Sequence, residues 1–119
     1  MFSAVKRWLF GTTADKPGES RRSSHWPAVR KQWLKDHPAC AACGTTKDVE
    51  VHHKQPFHLF PELELDPANF ITLCEGRPGC NCHLTFGHLG NWTLFNPSVV
   101  DDAAEYLKKF MEARTKGAV

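Results

Sequence analysis

Two adjacent histidines, His52 and His53, end a short alternating segment, "DVEVHH". Alternation over residues 49–53 predicts a β-strand, and neighbouring side chains on a strand point to opposite faces. The two imidazoles are therefore not equivalent ligands of one pocket unless the strand ends or twists there. One ring is suited to bind a metal ion and the other to take a proton from water, because neutral imidazole is available at pH 7.

Five cysteines form a second group of residues that could do chemistry: Cys40, Cys43, Cys74, Cys80 and Cys82. An odd, clustered set does not pair fully into disulfides, which indicates a reducing compartment, and the "CAAC" spacing is typical of a metal knuckle. Cys40, Cys43 and Cys74 fit a tetrahedral Cys₄ zinc site, and either Cys80 or Cys82 completes it. Structural zinc contributes on the order of 10 kcal/mol to folding. The alternative is that these are buried free cysteines of a core.

The elements that position these residues follow from hydrophobic spacing and from helix and strand signals. The sequence predicts strands at 49–53 and 69–74 joined by a long loop, and a short helix after Asn81 that ends near Gly87. A helix from about Trp26 to Asp36, with Ser24 as N-cap, precedes them. A final helix over about 99–115, with Ser98 as N-cap, packs its apolar face on the core.

Length and composition indicate a small globular protein. Its 119 residues suffice for one domain, at 41% hydrophobic and 24% charged residues. Residues 2–10 could form a short helix and 11–24 read as a linker, so we expect a flexible basic tail over 1–24 and one domain over 25–119, with its core at about 38–92. No apolar run predicts a secretory signal or a membrane span. A cytoplasmic protein is expected.

Charge is distributed unevenly along the chain. Residues 1–54 contain ten Lys and Arg against five Asp and Glu, whereas residues 55–119 contain five against eight. The basic half could meet phosphates, although a charge run more often forms only a solvated face.

Three stretches, "VHHKQP", "DPANFITLC" and "CNCHLTFGH", together resemble the HNH endonucleases, also called ββα-metal nucleases. The resemblance covers about residues 21–97. The stretch "NCHLTFGHLGNW" is similar to the small HNH proteins of phages and prophages. The resemblance implies an α+β fold with a small ββα-metal core and a zinc knuckle, flanked by N- and C-terminal helices.

The resemblance also implies roles for individual residues. His53 is expected to be the general base, and Asn69 to orient its ring by a hydrogen bond. His52 and His83 are expected to bind one catalytic divalent metal, Mg²⁺, Mn²⁺ or another. Cys82 is favoured over Cys80 as the fourth zinc ligand, because in the family a knuckle cysteine commonly precedes the metal-binding histidine.

His88 is a provisional third ligand. The colicin nuclease domains are similar but place their third histidine four residues after the second, whereas here the separation is five. On a continuous α-helix five residues turn a side chain about 140° away. Unless Gly87 breaks the helix, His88 is expected to contact the scissile phosphate instead.

The expected function is hydrolysis of phosphodiester bonds in double-stranded DNA, with the phosphates held by the basic half of the chain. Family resemblance adds a bacterial host cell, a phage or prophage origin, and association with terminase or other packaging proteins. The alternative is a zinc-knuckle module that binds nucleic acid or protein without catalysis. His25, His37 and His58 are assigned no catalytic role, and Trp92 is expected to pack in the core or against a subdomain rather than to stack on bases.

Overall fold

The structure is a computed structural model that describes residues 22–76 and 80–117. The predicted helix over residues 2–10 and most of the linker over 11–24 lie outside the described residues. The division into a tail and a domain therefore stays a prediction.

Helix α1 spans Trp26–Asp36, as predicted, with Pro27 in its first turn and His37 at its C-cap. The predicted N-cap, Ser24, is wrong: His25 occupies that position and makes no side-chain cap bond. Ser23 instead accepts a hydrogen bond at Oγ from the His25 amide, at 3.0 Å. The reason is tertiary, because the buried Glu64 carboxylate accepts from the Ser23 amide at 3.1 Å and fixes the chain before the helix begins.

Strand β1, Val49–His53, pairs antiparallel with strand β2, Phe70–Cys74. The register places His53 opposite Phe70 and Val49 opposite Cys74, so the histidine doublet lies at the end of the sheet where the connecting loop begins.

The loop between the strands contains two 3₁₀ turns, Pro61–Leu63 and Pro67–Asn69. Asn69 therefore ends a turn instead of opening the strand, one residue away from the prediction. The Asp66 carboxylate accepts from the Ala68 amide at 3.0 Å, and this cap favours the turn up to Asn69.

The short helix predicted after Asn81 is a π-helix over His83–Gly87. Helix α2 follows over Val99–Gly117, beginning at the predicted residue and ending two residues later. The carbonyl of Ser98 accepts from the Asp102 amide at 2.9 Å, as expected at an N-cap position.

Asn96 ties the π-helix to helix α2. Its side chain donates to the Phe86 carbonyl at 2.9 Å and to the Asp102 carboxylate at 2.8 Å, and accepts from the Ser98 amide at 2.9 Å. Asn96 is buried, so these bonds replace the water that its amide loses. The π-helix is thereby fixed at both ends, by Cys82 before it and Asn96 after it.

The core joins the cysteine-bearing turn, strand β2 and helix α2. Its buried residues are Cys40, Ala42, Ile71, Leu73, Cys74, Cys82, Val99 and Ala103. Helix α1 packs against the sheet through Trp33, whose indole donates to Thr72 Oγ1 at 2.9 Å. The large apolar residues of this helix are only half-buried: Trp26, Val29, Trp33 and Leu34.

The architecture is thus a small mixed α and β fold with a two-stranded sheet and a cluster of four cysteines that could bind a metal. Within residues 22–76 and 80–117, no helix combines the length and apolar character that a membrane span requires.

Candidate active site

His52 and His53 point to opposite faces of strand β1, as strand geometry requires. The His52 ring is 2% exposed and meets the π-helix, with its ring centroid 4.9 Å from that of His83. The His53 ring packs on the other side, 4.8 Å from the Trp26 ring and 5.2 Å from Phe70. The sheet therefore presents one imidazole to each of two environments.

On the first face, His52, His83 and His88 form a histidine cluster. One ring nitrogen from each residue lies within 4.8 Å of the others. His52 Nδ1 and His83 Nε2 are 3.0 Å apart, a separation that two nitrogens bound to one ion at about 2.0–2.1 Å could have. The donor set is three imidazoles, which suits first-row transition ions better than Mg²⁺, because Mg²⁺ prefers oxygen ligands. The residues present fit a divalent metal.

The π-helix explains how His88 reaches the cluster despite its five-residue separation from His83. Its hydrogen bonds connect residues i and i+5, so those two residues lie near one another along the helix. The ring centroids of His83 and His88 are 4.9 Å apart. The predicted α-helical divergence is absent because this segment is not α-helical.

His83 and His88 each have an outer partner that sets the tautomer of the ring. His83 Nδ1 lies 2.6 Å from the Glu75 carboxylate, and His88 Nδ1 lies 2.6 Å from the Leu94 carbonyl. Because these oxygens only accept, both Nδ1 atoms carry the proton, and each Nε2 presents a lone pair. Such outer partners are typical of metal-binding histidines. Glu75 was not identified from the sequence, since nothing in the pattern connects it with His83.

His52 is held by packing rather than by an outer hydrogen bond. Its Nε2 is the one buried side-chain nitrogen or oxygen of the described residues that has no hydrogen-bond partner. A Cβ added at Gly87 would lie 3.0 Å from His52 Nδ1 and Cε1, so a larger residue there would press on the ring. Burial, followed by the charges of His83 and His88, lowers the pKa of His52 to about 3. The ring is therefore neutral, as a metal ligand must be.

On the second face, His53 has the tautomer of a proton acceptor. Its Nε2 donates to the Glu64 carbonyl at 2.9 Å, so the lone pair resides on Nδ1. Burial lowers the pKa of His53, the Glu64 carbonyl bond opposes the shift, and the nearby Arg22 charge adds to it. A neutral imidazole with one nitrogen tied to the backbone is what a general base requires.

Arg22 and Glu64 complete the surroundings of His53. The Arg22 guanidinium lies 3.6 Å from the Glu64 carboxylate and over the rings of Trp26 and Phe57, at 5.0 and 4.7 Å. Burial raises the pKa of the Glu64 carboxyl, whereas the Ser23 amide and Arg22 lower it. In the sequence, Arg22 is one of ten basic residues in the first half of the chain, and no pattern connects Glu64 with His53.

The Asn69 side chain hydrogen-bonds the backbone of the loop. This finding corrects the predicted bond from Asn69 to the His53 ring. Its amide accepts from the Gln55 amide at 2.9 Å and donates to the Gln55 carbonyl at 3.0 Å. The His53 ring is oriented instead by the Glu64 carbonyl, which its Nε2 meets at 2.9 Å. Asn69 therefore fixes the chain just after the histidine doublet, because its carbonyl also accepts from the Lys54 amide at 2.8 Å.

The second group of ligands, called the cysteine cluster, comprises Cys40, Cys43, Cys74 and Cys82, whose sulfurs lie within 4.8 Å of one another. Amides of Ala42 and Cys43 donate to Cys40 Sγ at 3.4 Å. A hydrogen bond from Cys82 lowers the pKa of the Cys40 thiol, and the same bond raises that of Cys82. A metal ion would bind these sulfurs as thiolates, so metal binding would release protons from the cluster.

Cys80 joins this group from one side. Its sulfur lies 3.5 Å from those of Cys43 and Cys74. The sulfurs of all five cysteines therefore lie close together. The four that all lie within 4.8 Å of one another are those of Cys40, Cys43, Cys74 and Cys82. Since Cys82 directly precedes His83, the cysteine cluster fixes the start of the π-helix.

Trp92 departs from the sequence prediction. The indole is 50% exposed, with its ring centroid 5.2 Å from that of His83 and 4.9 Å from that of His88. It is a wall of the histidine cluster and not a core residue. The three histidines without a predicted catalytic role, His25, His37 and His58, are exposed.

Comparison of the chain with protein-family models, with curated proteins and with solved structures finds no match. The candidate site is therefore interpreted from its own geometry.

Proposed function

We propose that this protein is a metal-dependent endonuclease of the HNH type, with strands β1 and β2 and the π-helix as its ββα-metal core. The observation that carries the proposal is the histidine doublet. One ring joins a three-imidazole cluster, while its neighbour has a protein-fixed tautomer with a lone pair on Nδ1. A module that only bound its partner would have no need of both arrangements at one strand end.

In this proposal His53 activates the nucleophile. Nδ1 takes a proton from a water molecule, whose oxygen forms a bond to phosphorus as the bond from phosphorus to the 3′ oxygen breaks. The Glu64 carbonyl holds the ring in place and stabilises the imidazolium, since it accepts from Nε2 in both protonation states. The positive charge of Arg22 lowers the pKa of the His53 ring. The 3′ oxygen leaves with the electron pair of the broken bond and takes a proton from solvent water, which gives a 5′-phosphate and a 3′-hydroxyl.

His52, His83 and His88 would hold the catalytic divalent metal. When bound, such an ion offsets negative charge on a phosphate oxygen and on the leaving oxygen. Glu75 and the Leu94 carbonyl would keep His83 and His88 oriented toward it. The imidazole donor set favours Mn²⁺, Ni²⁺, Co²⁺ or Zn²⁺ over Mg²⁺.

Cys40, Cys43, Cys74 and Cys82 would hold structural zinc. Four thiolates close the tetrahedral shell, so this ion would have no open position for a substrate. Its role would be to connect the turn after helix α1, the end of strand β2 and the start of the π-helix.

DNA would be bound mainly through its phosphates. The net positive charge of residues 1–54 supplies attraction without sequence readout, so binding should weaken steeply with salt. Double-stranded DNA is the proposed substrate, and a phage packaging complex is a proposed setting.

The test is nicking of supercoiled plasmid at low salt, with each divalent ion added separately and with EDTA as the control. We expect nicked circles with a transition ion, which DNA ligase reseals because the ends are a 5′-phosphate and a 3′-hydroxyl. His53→Ala should nick far more slowly, and His25→Ala, which removes an exposed histidine, should nick normally.

Absence of nicking with every ion, from protein that is folded and contains zinc, would contradict the nuclease and favour the binding module. Full activity of the isolated chain would show that a packaging partner is not required.

A further inference from the structure

The segment from Leu89 to Leu94, called the 89–94 loop, exposes three large apolar side chains beside the histidine cluster. Leu89, Trp92 and Leu94 are 52%, 50% and 47% exposed. Large exposed apolar residues that lie next to one another commonly mark an interaction surface. This surface adjoins the proposed catalytic metal ligands.

The loop holds a defined conformation. The Gly90 amide donates to the Leu84 carbonyl at 2.8 Å, and the Leu94 amide donates to the Asn91 carbonyl at 2.8 Å. The Asn91 side chain accepts from both the amide and the hydroxyl of Thr93, at 2.9 and 2.8 Å. These bonds order the loop before any partner arrives, so binding would cost little loop entropy.

Leu89 has a φ of +56°, in the left-handed region that a bulky residue rarely adopts. This conformation turns the chain after the π-helix and lets the Gly90 amide bond back to the Leu84 carbonyl, so the direction of the loop is set where the helix ends.

Trp92 is held from one side and left open on the other. Its ring contacts the imidazoles of His83 and His88, while half of the residue faces solvent. An indole with a fixed position and an open face is a stacking platform for a nucleobase.

The position of Trp92 selects the occupant. A base and its phosphates are joined through one sugar, so a base stacked on Trp92 brings an adjacent phosphate to the histidine cluster. An apolar protein segment in the same place would cover the histidines and exclude the phosphate. The base must expose a face, and in an intact duplex neighbouring bases cover both faces.

We propose that Trp92 stacks on an unpaired nucleobase next to the scissile phosphate, so that the preferred DNA is single-stranded or locally opened at the cleavage step. This inference rests on the proposed nuclease function for its phosphate, and it narrows the substrate class.

The test compares two fluorescein-labelled probes of equal length and charge, a twelve-nucleotide thymidine strand and a twelve-unit abasic strand. Affinities are measured by fluorescence anisotropy on the zinc-containing protein without added divalent ions. Loss of stacking on a base typically weakens binding roughly 5- to 150-fold. We expect the protein to prefer thymidine over abasic strand by a ratio in that range.

Trp92→Ala should bind both strands equally, and Trp92→Phe should retain most of the preference, because it keeps an aromatic face. Met111→Ala is the matched control: Met111 is also 50% exposed but lies on helix α2. Damage to the site from truncating Trp92 would weaken both probes alike, so the ratio reports stacking alone. If Trp92→Ala does not fold, greater quenching of tryptophan emission by thymidine strand in the wild type than in Trp92→Phe gives the same information.

Equal binding of the two probes by the wild type, or a preference that survives in Trp92→Ala, would overturn the inference. Plasmid nicking separates this result from the proposed function. Nicking without a base preference would retain the nuclease and reject the stacking, whereas a base preference without nicking would retain the stacking and reject the nuclease.

Discussion

The cysteine cluster and the histidine cluster adjoin in the chain, at Cys82 and His83, yet their surroundings differ. The cysteine sulfurs hydrogen-bond mainly to one another and to backbone amides of their own turn. His83 and His88 each bond an outer oxygen, from Glu75 and from Leu94, and keep a lone pair on Nε2 for the histidine cluster.

The difference indicates a structural role for one cluster and a chemical role for the other. Four thiolates would leave a metal no vacant coordination position, so the free energy of metal binding would stabilise the fold. If the histidine cluster binds an ion, three imidazoles would leave coordination positions for water and substrate, and the exposed Trp92 would form one wall of their opening. The same short segment thus belongs to both clusters, and substitutions should affect the two differently.

The largest expected effect is loss of the fold in Cys43→Ala. If the cysteine cluster binds zinc, removing one ligand should cost much of the roughly 10 kcal/mol that a structural zinc contributes. We expect no zinc by elemental analysis and no cooperative melting by circular dichroism.

Cys80→Ala is the matched control and should retain both zinc and the melting transition. Loss of zinc from that variant, with zinc retained in Cys82→Ser, would transfer the fourth ligand to Cys80. A zinc-free Cys43→Ala protein that still melts cooperatively would contradict the structural role.

The next effect separates the two faces of strand β1. His53→Ala should lower the nicking rate roughly 10²- to 10⁴-fold, the usual contribution of a general base. It should still bind Mn²⁺ or Ni²⁺ in calorimetry, because its ring lies outside the histidine cluster. His83→Ala should lose both activity and binding of the divalent ion.

Zinc content should be unchanged in both variants, and the melting transition should persist. Equal loss of ion binding in His53→Ala and His83→Ala would contradict the division of labour between the two faces.

A smaller effect is expected at Gly87, where an added methyl group would crowd the His52 ring. In Gly87→Ala the new Cβ would meet His52 at 3.0 Å, and overpacking of this kind typically costs about 1–3 kcal/mol. We expect a lower midpoint in urea unfolding and weaker binding of the divalent ion, with zinc retained.

Thr85→Ala, an exposed change on the same π-helix, should alter neither property. An unchanged affinity for the divalent ion in Gly87→Ala would indicate that His52 is not a ligand.

The smallest effect is a shift in the pH profile. His53 must be neutral to accept a proton, and burial together with the Arg22 charge holds its pKa below the usual value of about 6.5. Activity should therefore persist at a pH low enough to protonate an ordinary histidine, and fall only at lower pH, as the His53 ring becomes protonated. In Arg22→Gln the loss of a neighbouring cation makes protonation easier, so the acid limb should move to higher pH.

Arg22→Lys keeps the positive charge and should leave the acid limb in place. A shift to lower pH in Arg22→Gln would mean that another group controls the limb.

The local elements were predictable because their signals are local. Helix α1 and the strand carrying the histidine doublet begin and end where the sequence predicted them, and helix α2 begins as predicted. Hydrophobic periodicity and the proline in the first turn of α1 depend on neighbours in the chain. The N-cap of α1 was wrong because a distant carboxylate, Glu64, anchors Ser23.

Residue types and order alone determined the metal-ligand candidates: clustered cysteines, an adjacent pair of histidines, and two more histidines downstream. Only the tertiary structure decided that His88 joins His52 and His83, because α-helical spacing would have separated it and the π-helix does not. The structure alone also placed Glu75, Glu64 and Trp92 at the site. Their contacts with the histidines are side-chain meetings between different elements, which the periodicity of any single element does not encode.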